Sequence, residues 1–242
     1  MPGRLPAAVP RVKADTRYRV QPLRGAPVTV TGGSPVSYDA PCPDSFSVAF
    51  RPGFGENVGA LAVLDSIQAR PRPVTVVPTA NPAYRQVIRQ ELQRRGLNSP
   101  VVDLVKVLRA DLDGDGSQEV IIEATHFARP EGDLLSPPVN SATGDYSLLL
   151  RSVMNGKLNT AVLGADVVLG ASSDPELALR LGLRESLKGV ADFNGDGRLE
   201  IVTSESYHEG TTYDAWTWTS ATGPTTGPTT GPKKVLESGC GV

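Results

Sequence analysis

Ala110-Asp-Leu-Asp-Gly-Asp-Gly-Ser-Gln-Glu-Val120 and Ala191-Asp-Phe-Asn-Gly-Asp-Gly-Arg-Leu-Glu-Ile201 are one loop written twice, 81 residues apart. In each copy, oxygen-bearing side chains fall at loop positions 1, 3, 5 and 9 and a glycine at 6, the arrangement by which a short loop wraps oxygens around a hard cation. Asp111, Asp113, Asp115 and Glu119 crowd four negative charges into one turn. Each like-charged pair about 4 Å apart costs about 1–4 kcal/mol at dielectrics between water and a protein surface, and a divalent cation removes that cost. Calcium takes six to eight oxygens in flexible geometry, whereas magnesium wants a tight octahedron and keeps its waters, so alternating carboxylates favour calcium. The second copy holds Asp192, Asn194, Asp196 and Glu200, one acid fewer. Gly114, Gly116, Gly195 and Gly197 supply the backbone angles of the turns. An Asp/Gly-rich turn without metal is the bland reading of one copy; its repetition argues for two calcium sites.

The flanks decide what kind of loop this is. An EF-hand needs a bidentate Glu at position 12 between helices, but position 12 is Ile122 in one copy and Thr203 in the other. The loops run instead into Val120–Thr125 and Ile201–Ser206, rich in β-branched residues, and follow Val101–Leu108 and Leu187–Val190. Each unit reads as strand, loop, strand, which also discounts a dockerin-like reading with its helix after the loop.

The pattern Asp-x-Asp/Asn-Gly-Asp-Gly-x-x-Glu-Val/Ile resembles the calcium loop of FG-GAP and VCBS-type repeats, found in integrin propellers and many secreted bacterial proteins. The resemblance covers about 30 of the 242 residues. It implies a loop joining two antiparallel strands, with ligands from side chains 1, 3, 5 and 9 and the carbonyl of residue 7. On this chain those are Asp111, Asp113, Asp115, the Ser117 carbonyl and Glu119, then Asp192, Asn194, Asp196, the Arg198 carbonyl and Glu200. Position 9 is often Asp in integrins and is Glu here. A propeller needs at least four blades to close, and two loops at this spacing do not make a complete one.

Between and after the loops the chain reads mostly as strand. Gly144–Met154 and Lys157–Leu163 flank Asn155-Gly156, whose positive φ angles suit a type I′ hairpin turn. Thr211–Ser220 places Trp216 and Trp218 on one strand face. Such pairs can stack a sugar or peptide, but more often fill a core, because each aromatic buries about 150–250 Å². Lys234–Glu237 reads as a last short strand. One helix is signalled by Asn81 as N-cap, Pro82 in its first turn, Tyr84, Val87, Ile88 and Leu92 along one face, and Gly96 as its stop. Arg85, Arg89, Gln90, Gln93, Arg94 and Arg95 on its other side read as a solvated face rather than a site for anionic polymers.

A net charge of −2 gives no general case for nucleic acid or anionic membrane. Residues 1–45 read as a Pro-rich N-terminal segment, and Met1–Pro10 carries neither a signal peptide nor a membrane span. Residues 46–242 read as one domain, with the loops at 110–120 and 191–201 and an exposed Thr/Gly/Pro loop at 222–232. Cytosolic calcium is too scarce to fill sites of modest affinity, so the resemblance implies a secreted or cell-envelope protein. In that setting Cys42 and Cys240 would form a disulfide tying the chain ends together; the other reading is two free thiols.

Signals for catalysis are thin. His126 and His208 each follow the strand that leaves a calcium loop, with Glu123, Glu205 and Glu209 nearby. They suit a general base or a transition-metal site only if the fold brings them together; strand-end residues in solvent are the plainer reading. There is no Gly-x-Ser-x-Gly elbow, papain-like cysteine neighbourhood or glycine-rich phosphate loop. The sequence therefore describes an α+β protein, mostly antiparallel sheet with one or two helices, binding calcium at two sites. Its role is structural or in binding a protein or glycan partner at the cell envelope, with no assigned catalytic residue. A calcium-dependent secreted hydrolase is the competing class.

Overall fold

The computed structural model describes residues 13–38, 42, 45–53, 60–129, 137–154, 158–170, 182–219 and 231–241. Alternation along two strands sets the architecture. In Leu104–Ala110 (β8) and Glu119–His126 (β9), Leu108 and Ile121 point to one face while Val107, Ile122 and Ala124 point to the other, and all are buried. A sheet apolar on both faces must be covered on both.

One cover is the helix Pro82–Arg94 (α1). Its N-cap is Asn81, whose side chain accepts the Ala83 N–H at 2.9 Å, and Gly96 follows its end at φ +103°. Ile88 and Leu92 are fully buried against Val107, Ile122, Leu148 and Leu150, with Tyr84 and Val87 half-buried beside them. The arginine side is mostly exposed, although Arg85 reaches the Val102 carbonyl and Arg94 and Arg95 pair with Glu91. The first sheet runs β11-β10-β9-β8-β7, adding Tyr146–Met154 (β10), Leu158–Val167 (β11) and Val74–Val77 (β7). The register Met154↔Leu158 fits the expected hairpin; its Asn155-Gly156 turn lies outside the described residues.

The second cover is another sheet, ordered β12-β13-β14-β15: Arg184–Ala191, Glu200–Tyr207, Gly210–Thr219 and Gly231–Gly241. Leu187, Val190 and Ile201 meet Leu108, Ile121 and Leu149 in a dry seam. Trp216 packs against this seam, donating its indole N–H to Thr203 Oγ1 at 2.9 Å, and Trp218 is 9% exposed. The tryptophans thus serve the core side. The last strand is longer than the expected Lys234–Glu237: it pairs with β14 from Gly210↔Gly241 to Thr219↔Gly231, taking in Gly231 and Pro232 from the end of the Thr/Gly/Pro stretch. Residues 222–230 lie outside the described residues.

A third sheet, β5-β2-β1-β6, lies on the far side of the second. It comprises Phe50–Arg51 (β5), Val28–Gly32 (β2), Arg17–Pro22 (β1) and Ala60–Leu64 (β6). Leu61 and Val63 pack on Ala191, and Leu61 sits so close to Gly189 that a Cβ there would lie 2.9 Å from Leu61 Cδ1. From Arg17 onward the Pro-rich N-terminal segment contributes to this sheet, β1 pairing with β6 across Tyr18↔Leu64 to Pro22↔Ala60. Val36–Ser37 (β3) and Phe46–Ser47 (β4) form a small ribbon, and Cys42 between them is disulfide-bonded to Cys240 of β15. The layers run helix, first sheet, second sheet, third sheet, and all larger pairings are antiparallel.

Candidate metal centre

The two loops open two successive meanders in the same way. β8 and β9 meet at Ala110↔Glu119, β12 and β13 at Ala191↔Glu200, and each hairpin continues into two more antiparallel strands. Backbone N–H groups then gather the acidic side chains identically in both copies. Asp111 accepts from Gly114 and Gly116 at 2.7 and 3.2 Å, and Asp192 from Gly195 and Gly197 at 2.6 and 2.8 Å. Position 3 accepts from the N–H of position 5, and position 5 from that of position 7: Asp113 with Asp115, Asp115 with Ser117, Asn194 with Asp196, Asp196 with Arg198. The four loop glycines hold φ between +78° and +87°, a region that L-residues rarely enter.

The result in the first loop is one oxygen each from Asp111, Asp113 and Asp115, all within 4.8 Å of one another. Three carboxylates this close suit a hard, oxygen-seeking cation, and the donor set fits calcium. In the second loop Asn194 Nδ2 turns to Asp196 Oδ2 at 3.2 Å, so the amide offsets part of the repulsion.

Glu119 and Glu200 close the loops from beneath. Glu119 Oε2 accepts the Leu112 N–H at 2.8 Å and Glu200 Oε2 the Phe193 N–H at 3.0 Å, both from loop position 2. Burial holds the pKa of each above the usual carboxylate range. The backbone donors, and Arg151 beside Glu119, pull it back down; Asp113 and Asp115, or Asp196 and Asp192, push it up again. Both glutamates therefore feel the loop acids directly.

The loops are joined to each other. The Leu199 N–H donates to the Leu112 carbonyl at 2.8 Å, so position 8 of one loop bonds to position 2 of the other. The segment before β7 clasps both: Ala69 accepts the Asp192 N–H, Arg70 reaches the Val190 carbonyl, and Arg72 donates to the carbonyls of Asp111 and Leu112.

Several important charged residues lie outside the loops. Arg151 is buried, with Nη2 3.2 Å from Glu119 Oε1 and its guanidinium 3.5 Å over the Trp218 ring. Glu123 is fully buried between the first two sheets, where it meets Lys106 Nζ at 3.3 Å and accepts the Leu187 N–H at 2.9 Å. An arginine inside Leu148-Leu-Leu-Arg-Ser and a glutamate inside Ile121-Ile-Glu-Ala were the sequence signals: charges in runs otherwise destined for a core.

The histidines do not converge on a described cavity. His126 Nδ1 lies 2.8 Å from Asp103 Oδ2, and the ring stacks near Tyr146. His208 is exposed in the β13–β14 turn and lines a surface cavity with Tyr38, Phe46 and Tyr207, from which His126 is absent. Among the described residues no helix is long and apolar enough to cross a membrane. Compared with protein-family models, curated proteins and solved structures, the chain matches none.

Proposed function

We propose that the chain is an extracytoplasmic calcium-binding protein whose two ions brace a stack of sheets, serving a structural or binding role at the cell envelope. The observation that carries the reading is the duplicated N–H scaffold, which draws Asp111, Asp113 and Asp115 within 4.8 Å of one another. The first site would use Asp111, Asp113, Asp115, the Ser117 carbonyl and Glu119. The second would use Asp192, Asn194, Asp196, the Arg198 carbonyl and Glu200. A bound calcium neutralises side chains that otherwise repel one another, and so acts on the fold rather than on a reaction. The Cys42–Cys240 disulfide supports an oxidising compartment, where such bonds persist and calcium is plentiful.

Isothermal titration of chelator-treated protein with calcium tests this. Two sites per chain are expected, one lost in Asp113→Ala and the other in Asp196→Ala. Absence of any saturable calcium binding would refute the reading.

A further inference from the structure

Beneath the loops the two repeats part company. Beneath the first loop, Glu119 Oε1 meets Arg151, and that guanidinium fills the space between its own sheet and Trp218 of the next. Strand register identifies the counterpart of Arg151 in the second repeat. Arg151 pairs with Ile121, and Val202, the residue 81 positions on from Ile121, pairs with Ala215. The arginine is thus replaced by a methyl group, and among the described residues a groove of about 650 Å³ runs between the second sheet and β6.

Its floor and walls are largely apolar, with Leu61, Phe193, Val202 and Leu236 among them, while Asp196 and Glu200 line its loop end. Among the described residues no Lys, Arg or His lines it. Lys188 approaches the Tyr213 ring only to 5.9 Å and is not part of the lining. Tyr213, Val235 and Leu236 at its rim are 49%, 49% and 62% exposed. The groove therefore repeats the environment of Arg151, an apolar slot ending on a glutamate, but among the described residues it holds no cation: Glu200 Oε1 meets only the Asn194 amide, at 3.5 Å, where Glu119 Oε1 meets Arg151.

We propose that this groove receives an arginine side chain from a partner polypeptide, its guanidinium seated on Glu200 as that of Arg151 is on Glu119. A planar guanidinium on an apolar stem matches both ends of the slot, and it stacks on rings and forks onto carboxylates better than an ammonium. A polypeptide is the fitting source because the apolar wall extends past one side chain to β15, which is the edge of its sheet among the described residues and can pair with an extended segment. The inference gives the binding role proposed above a partner chemistry. It rests on Glu200 and Ala215 rather than on the ion.

The test titrates the full disulfide-bonded chain, in calcium and separately in EDTA, with the capped peptide Thr-Val-Arg-Val-Thr and with versions carrying lysine or neutral citrulline in place of arginine. Saturable binding of the arginine peptide is expected, at least tenfold weaker for citrulline. Glu200→Gln, which keeps an acceptor for the Phe193 N–H, should lose at least tenfold, and Ala215→Arg, which fills the slot from within, should abolish binding. Equal binding of the citrulline peptide, full affinity in Glu200→Gln, or no binding at millimolar peptide would overturn the proposal. Calcium heats that persist without arginine selectivity remove this inference alone; arginine selectivity without calcium heats removes the ion reading alone.

Discussion

Replacing Glu185 by glutamine should stabilise the protein, and by an amount that depends on pH. Glu185 of β12 is 7% exposed, faces Glu205 across the strand pair, and presses its carboxyl against Gly164 of β11, where a side chain would collide with it. Burial, then the charge and hydrogen bond of Glu205, then Asp214 and Asp166 push its pKa from 4.5 to about 8. Lys234 of β15, 2.9 Å from Asp214, offsets part of that repulsion. Below pH 4.5 both folded and unfolded states hold the proton, so the stability is fully present there. Between that point and the folded value only the native state keeps it, and stability falls by about 1.4 kcal/mol per pH unit. By pH 7 the loss is about 3 kcal/mol. Glutamine fills the same space, can still donate to Glu205 and never ionises. The gain expected for Glu185→Gln is therefore about 2–3 kcal/mol at pH 7 and under about 1 kcal/mol at pH 5. Urea unfolding from pH 5 to 9 in EDTA, on both proteins, measures it; Glu119 and Glu200 titrate alike in both and cancel in the difference. Parallel stability curves would refute the reasoning, as would a wild-type protein that gains stability with rising pH.

Stripping calcium should lower the melting temperature, since an ion binding only the native state adds about 2.7 kcal/mol per site at a hundredfold excess over its dissociation constant; identical calorimetric midpoints in EDTA and calcium would contradict this. The first loop, with four carboxylates against three, should bind more tightly. In calorimetric titrations, Asp113→Ala should remove the stronger class of site and Asn194→Ala weaken the other; the reverse pattern would be a failure. The Cys42–Cys240 bond spans a sequence separation of 198, so serine at both positions should cost up to about 5 kcal/mol of unfolding free energy in denaturant melts. A loss under about 1 kcal/mol would show that the unfolded chain gains little freedom from the cut. Leu108→Ala empties a fully buried place between the first two sheets and should cost about 2–5 kcal/mol by the same measurement.

Short-range chemistry was legible and long-range chemistry was not. Asn81, Pro82 and Gly96 marked the helix because caps act within one turn, and the loop glycines marked positive φ because no neighbour is needed to require it. β-branched residues on either side of the loops marked strands. What packs on what was hidden: nothing in Arg17–Pro22 announces that it lies beside Ala60–Leu64, since that pairing joins segments separated by a proline-rich stretch. β15 looks short in sequence because Gly231, Pro232 and Gly239 read as breakers on either side of Lys234–Glu237, yet an edge strand needs only its partner's backbone, and β14 supplies one along the whole length. Arg151 stood in plain view in an apolar strand, but its role depends on Glu119 and Trp218, each more than thirty residues distant.

The order of the layers differs from the order of the chain, and this bears on how the protein is made. The first and second sheets are meanders of neighbouring strands, and the helix that covers the first lies in sequence between two of its strands, β7 and β8. The third sheet is different: its strands are the first to be synthesised, yet Leu61 and Val63 dock on Gly189 and Ala191, more than a hundred residues downstream. At ribosomal speeds of about 5–20 residues per second, that apolar face waits several seconds or more for its cover. Cys42 waits longer still for Cys240. The docking of the N-terminal strands on the second sheet thus closes a loop of more than a hundred residues, the kind of non-local contact that slows folding. These strands are also the surface for a chaperone to shield while the rest of the chain arrives.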